Sequence, residues 1–163
     1  MLLKCAGTGS KGNSYTLVSD SGEILLIECG VKWSETMKMI DYQTSRVAGC
    51  ICSHAHSDHL RSYKDCLHYG IPIYTNDETA EHFEIISGEK MIGLPERIPK
   101  RIGSWTVIPF YLPHTTRDKE TGALIPCPNF GYLVKNGDET LLYATDFEYI
   151  PYTFKNQRIN YML

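Results

Sequence analysis

The chain has 163 residues, 42% of them hydrophobic and 21% charged, with a formal net charge of -3. That length predicts one compact domain, 1–163, able to bury roughly 70% of its unfolded surface without disulfides or a structural metal. The aromatic content excludes disorder, no apolar run approaches the roughly 18 residues of a membrane span, and a pI near 6.1 excludes a global basic footprint. The segment Met1–Cys5 has too short an apolar core for a secretory signal, so a cytoplasmic location with no membrane partner is expected. In that compartment Cys5, Cys29, Cys50, Cys52, Cys66 and Cys127, which contain no CxxC pair, read as reduced core residues.

Taken in order, alternation and short apolar runs predict strands at Leu2–Ala6, Tyr15–Ser19 and Ile24–Glu28, the last two joined by the turn Asp20-Ser21-Gly22. Trp33, Met37 and Ile40 recur at helical spacing. Val47–Ser53 is a continuous apolar run, as a strand covered on both faces would be. Leu60–Tyr69 reads as a helix and Ile71–Tyr74 as a strand. Asp77–Ile86 carries an Asp at its start, Ala80, Phe83 and Ile86 on one face, and Gly88 beyond its end, the marks of a bounded helix. The second half predicts strands at Trp105–Leu112, Phe130–Val134 and Thr140–Ala144, with Asn136-Gly137 as a hairpin turn between the last two. The pattern is that of a mixed α/β sandwich. Tyr161-Met162-Leu163 reads as the start of a buried strand, which leads us to expect a larger fold cut short.

The chemistry centres on Ser53-His54-Ala55-His56-Ser57-Asp58-His59. The pattern HxHxDH would arise by chance in this composition about four times in ten thousand sequences. His54 and His56 follow a strand, two residues apart and therefore on the same side, and Asp58 with His59 opens the next helix facing back toward them. Three imidazoles and a carboxylate form an N/O site suited to zinc, with manganese or iron also accommodated. His68 and His82 read as ordinary surface or core residues. His114 and Asp146 each follow a predicted strand, at an end where side chains can leave the core and meet at one rim; taken alone, each is more often an ordinary residue.

With these residues assembled, the chain resembles the metallo-β-lactamase fold superfamily of hydrolases. The resemblance implies an αββα sandwich with mixed sheets, its second half incomplete here. It further implies two divalent metal ions, one held by His54, His56 and His114 and one by Asp58 and His59, with Asp146 bridging them. The turn Gly7-Thr8-Gly9-Ser10-Lys11-Gly12-Asn13-Ser14 resembles the GSxGNS turn of the YycJ-like branch of cytoplasmic, exonuclease-type enzymes. Family members usually place an Asp after the third strand to support the metal loop, where this chain has Glu28. They also carry a last histidine for the second ion, whereas no histidine follows His114 here.

The implied function is metal-dependent hydrolysis by activated water, with nucleic acid as substrate and Asp58 and Asp146 as catalytic residues. Ser10 and Asn13 would bind substrate at the mouth, and Lys11, Lys32, Arg117 and Lys119 would contact phosphates. Hydrolysis of a small ester, thioester or lactone is the alternative enzyme. A metal-binding fragment without independent turnover, completed by a homo-oligomer or a further chain segment, is the alternative outside enzymology.

Overall fold

The computed structural model describes residues 1–87 and 91–163. The strands are β1 (Leu2–Gly7), β2 (Ser14–Val18), β3 (Ile24–Ile27), β4 (Val47–Ile51), β5 (Ile73–Thr75), β6 (Ile92–Gly93), β7 (Lys100–Ile102), β8 (Trp105–Tyr111), β9 (Thr115–Arg117), β10 (Leu124–Pro126), β11 (Phe130–Asn136), β12 (Glu139–Tyr143) and β13 (Tyr161–Met162). The α-helices are α1 (Trp33–Met39), α2 (Ser57–Leu60), α3 (Tyr63–His68) and α4 (Asp77–Ser87).

Six strands form one sheet in chain order, β1 to β6. Its first three strands are antiparallel, and β3 to β6 run parallel. A second sheet has the order β13-β12-β11-β8-β7, and β9 pairs with β10 in a separate ribbon. The strand periodicity of two explains how the first sheet sorts its side chains. Leu25, Ile27 and Ile51 face inward, onto Trp105, Val107, Tyr132 and Val134 of the second sheet. Leu26, Cys50 and Cys52, alternating with them, face outward onto Ile40, Cys66, Ala80 and Phe83 of the helical layer. The mixed sandwich is therefore as expected, and β4 is covered on both faces.

The outer face of the second sheet differs from a full αββα plan. Phe110, Leu112, Leu133 and Leu142 are covered by Ile150, Tyr152, Phe154 and Ile159, and among the described residues no helix lies over them. β13 does form, pairing parallel with β12, but Tyr161 and Met162 are exposed at the sheet edge rather than buried.

Three local expectations shift. The predicted helix Leu60–Tyr69 is broken into α2 and α3, because Ser62 is drawn into the Cys29–Val31 loop. Its amide donates to the Cys29 carbonyl at 2.8 Å and its hydroxyl donates to the Val31 carbonyl. In α4 the cap is Asn76, whose side-chain oxygen accepts from the Thr79 amide at 2.8 Å. Ala80 and Phe83 of α4 are buried, but Ile86 is 58% exposed because the last turn leaves the core; the expected stop at Gly88 lies outside the described residues. The β11–β12 hairpin pairs Asn136 with Glu139. Its two-residue turn is thus Gly137-Asp138, with Gly137 supplying the positive φ of 57°.

Candidate metal centre

The site is built where parallel strands of the first sheet end and face the ends of β8 and β12. Beyond β4 the chain runs through Ser53 and His54 to a bend at Ala55, with Ser53 fixed by hydrogen bonds on both sides. The Ser53 amide donates to Glu28 Oε1 at 3.1 Å, and Asn76 Nδ2 donates to the Ser53 carbonyl at 3.0 Å. Instead of the extended segment expected, this bend brings the two side chains together, with His54 Nε2 and His56 Nδ1 2.9 Å apart. α2 then turns His59 back beneath them, its ring 4.3 Å from that of His54 between centroids. His114, following β8, brings its ring to 4.9 Å from His54 and 5.3 Å from His56.

Asp146, following β12, closes the group. Its Oδ2 lies 3.0 Å from His59 Nε2 and 3.7 Å from His54 Nε2, while Asp58 Oδ2 lies 3.4 Å from His59 Nε2. The ligand-type atoms fall into two groups, His54, His56, His114 and Asp146, and Asp58, His59 and Asp146, each with all atoms within 4.8 Å of one another. Asp146 is the member they share. The structure thus brings together all six residues that the sequence singled out, whereas His68 and His82, exposed on α3 and α4, join neither group.

Electrostatics fit a metal. Burial, with the charges of His59, His56 and His114 around it, lowers the His54 pKa to about 2, leaving its lone pair free. Burial and His56 likewise lower the pKa of His114, whose buried Nε2 has no hydrogen-bond partner. An orphaned imidazole nitrogen aimed among other donors is what an absent cation would satisfy. His59 behaves oppositely. Burial works to lower its pKa, but Glu28, Asp58 and Asp146 outweigh it and raise the value to about 9. His59 therefore holds a proton in the metal-free protein, in the place where a cation would sit among these carboxylates.

A family model described as a beta-lactamase superfamily domain matches residues 24–160. The chain belongs to the metallo-β-lactamase superfamily. Solved structures agree on the fold. The metallo-β-lactamase fold protein YhfI from Bacillus subtilis superposes with a TM-score of 0.70 at 21% identity, covering 91% of this chain and 63% of that one. Unliganded yeast PDE1 gives a TM-score of 0.63 at 12% identity, over 84% of this chain and 61% of that one. Zn(2+)-bound PqqB from Methylobacterium extorquens gives 0.57 at 13% identity, over 80% and 51%. The chain thus spans 63% of the length of YhfI. No curated protein matches the sequence at a significant level.

Within this superfamily fold, several residues that the sequence reading passed over hold the centre in place. Asn129 donates through Nδ2 to the carbonyls of Thr145 at 2.9 Å and Asp146 at 3.1 Å, pinning the loop that carries Asp146. Thr116 Oγ1 lies 3.1 Å from His56 Nε2. Asn76 ties Ser53 to Pro128 and caps α4 at once. The only signals available were an Asn just before a strand and an Asn just before a helix, and both are common at chain turns. Glu28 was visible as a departure from the usual Asp, but its contacts were not. It is fully buried, takes φ 61°, and accepts from Tyr143 Oη at 3.0 Å while lying 3.4 Å from His59 Nδ1.

The GSxGNS-like turn packs against the metal loop. The Asn13 amide donates to the Asp58 carbonyl at 2.8 Å, and the buried Asn13 side chain accepts from the Gly9 amide at 2.9 Å. Its Nδ2 reaches 3.3 Å from His59 Nε2, so Asn13 lies beneath the centre, while Ser10 is exposed at its edge. Ser10, Asn13, Asp58 and Asp146 line a cavity of about 390 Å³. Beside it, Ser10, Lys11, Ser57, Asp58 and Arg61 line a polar recess of about 140 Å³. On the opposite side, Tyr111, His114, Cys127, Pro128 and Tyr152 line a more apolar cavity of about 360 Å³. Lys32, Arg117 and Lys119 are exposed, and none of the three lines these cavities. Among the described residues no helix is long and apolar enough to cross a membrane.

Proposed function

We propose that this superfamily hydrolase is a cytoplasmic phosphodiesterase of nucleic acid, of the exonuclease-type YycJ-like branch. In this reading His54, His56 and His114 hold one divalent ion, Asp58 and His59 hold a second, and Asp146 serves both. The observation that carries the two-ion reading is the position of Asp146 Oδ2, within 3.7 Å of His54 Nε2 and 3.0 Å of His59 Nε2. When bound, two divalent ions, zinc first and manganese or iron alternatively, supply activated water at neutral pH and stabilise charge on the substrate oxygens.

The chain's own residues do the rest. Asp58 and Asp146 accept hydrogen bonds from the attacking water and orient it toward the phosphorus. Glu28 holds His59 from behind, fixing which ring nitrogen faces the centre. Lys11 and Arg61, with Ser10, flank the polar recess beside Asp58 and supply the positive charge that a phosphate requires. Their presence at the rim favours a phosphodiester over a neutral substrate.

The test compares single-stranded DNA with a small lactone under identical metal loading. Phosphodiester cleavage whose substrate affinity falls with added salt is expected, because Lys and Arg contacts release counterions. Lactone turnover that ignores salt, with no DNA cleavage, would replace this reading by the small-substrate one. The apolar cavity beside His114, bounded by Tyr111 and Tyr152, would then be its binding site.

A further inference from the structure

A second set of metal-ligating side chains lies in the core, away from the rim. Cys29 follows β3, Cys50 lies in β4 with Cys52 just beyond its end, and Cys66 lies on α3, all in the layer between the first sheet and the helices. Four of the thirteen buried members of that cluster are cysteines, although the whole chain has only six, and the cluster between the two sheets has none. All four are buried and free. Cys50 Sγ and Cys52 Sγ are 3.6 Å apart, and Cys29 Sγ and Cys52 Sγ 4.0 Å apart. The three sulfurs all lie within 4.8 Å of one another, and Cys66 packs in the same buried cluster.

These distances match a metal–thiolate polyhedron. Zinc–sulfur bonds of about 2.3 Å give a tetrahedron whose sulfur–sulfur edge is about 3.8 Å, between the two separations observed. Thiols packed only as small hydrophobes reach similar distances, so the argument rests on number and convergence as well. Three sulfurs from β4 and the loop after β3 converge on one point, β4 places Cys50 and Cys52 on the same face to do so, and Cys66 on α3 supplies a further thiol in the same buried cluster. We propose that Cys29, Cys50 and Cys52, with Cys66 drawn in from α3 as the fourth ligand, form a structural metal site for a thiophilic ion such as zinc, separate from the histidine–aspartate centre.

The proposed ion displaces the thiol protons to solvent, since a coordinating thiol is deprotonated. In the metal-free protein the Cys50 hydrogen bond, with burial, holds Cys29 up at about 11, and burial with the Cys29 thiol raises Cys52. The site also bears on the rim. The Cys29 amide donates to the His59 carbonyl at 2.8 Å, and the Cys29 carbonyl accepts from the Ser62 amide at 2.8 Å. Joining Cys29 to Cys52 through one ion would tie the loop after β3 to the strand end that carries His54. Full burial makes exchange slow, so loading belongs to folding.

The test is X-ray absorption at the zinc edge on Cys127→Ser protein refolded with excess zinc and then passed over a desalting column. That substitution removes the one thiol near the rim, where Cys127 Sγ lies 4.0 Å from His56 Nε2. A shell of sulfur scatterers at about 2.3 Å is expected, with one zinc per chain above the rim's content. In a second preparation carrying His54→Ala and His56→Ala, about one zinc in an all-sulfur environment should remain, and adding Cys52→Ser should remove it. Only nitrogen and oxygen scatterers in folded Cys127→Ser protein would overturn the proposal without reference to any core substitution. Loss of rim zinc with the sulfur shell intact would instead contradict the two-ion reading alone.

Discussion

Glu28 shows how a single side chain shapes the centre. It is fully buried, and one of its oxygens faces the Ser53 amide, the Tyr143 hydroxyl and His59 Nδ1. Such a carboxylate fixes the imidazole tautomer and orientation that metal binding needs. Glu28→Gln is expected to weaken divalent-metal affinity about 10- to 100-fold with the fold retained, as read by competition with a chromophoric chelator. Unchanged affinity would mean that His59 is positioned by α2 alone. The positive φ values of Glu28 at 61° and Asp146 at 49° fall just beyond β3 and β12, two of the strand ends around the site. Non-glycine residues there are held against their preference, and Asn129, bonded to the Asp146 carbonyl, supplies part of that restraint.

At the scale of elements, the close fit of α2 against the loop after β3 decides where Asp58 and His59 stand. A Cβ added at Gly30 would lie 1.6 Å from the Asp58 carbonyl oxygen. No rotamer relieves a clash with backbone, so Gly30→Ala should push α2 away and cut bound metal sharply, together with a lower midpoint in denaturant unfolding. Metal content equal to the unaltered protein would show that the loop yields instead. Much of this element plan was legible beforehand. The apolar run Val47–Ser53 announced a strand buried on both faces, and HxHxDH at its end announced the site. β9 and β10 were not legible, because Thr115 and Arg117 and all of β10 are exposed and carry no buried-face alternation. The break at Ser62 was hidden as well, since its cause is a contact with Cys29 and Val31, some thirty residues away. The convergence of Cys29, Cys50 and Cys52 is of the same kind. Spacing without a CxxC pair gives no local sign of it, and only the pairing of β3 with β4 creates it.

For the whole molecule, the histidines set how stability depends on pH. Against an ordinary value of 6.5, His59 is raised to about 9 and His54 lowered to about 2. A raised histidine stabilises the fold below its ordinary value, and that contribution is lost as pH rises through about 9. A lowered one leaves the folded chain refusing a proton that the unfolded chain takes, so stability falls as pH drops below 6.5. From these two groups, the metal-free protein should be most stable near pH 6.5 and weaken on both sides, as denaturant unfolding across pH would show. Metal replaces the His59 proton, so loaded protein should keep its stability on the alkaline side, and alkaline loss persisting after loading would count against His59 as a ligand. The most direct test of the central claim is metal content per chain, by elemental analysis, for the unaltered protein, His54→Ala and Asp146→Ala. It is made after brief chelator exposure and reloading, counting only ions that exchange. About two exchangeable equivalents are predicted, reduced in both variants and most in Asp146→Ala, whose carboxylate belongs to both groups of ligand-type atoms. Folded protein that takes up none, or that loses nothing with Asp146→Ala, would contradict the account.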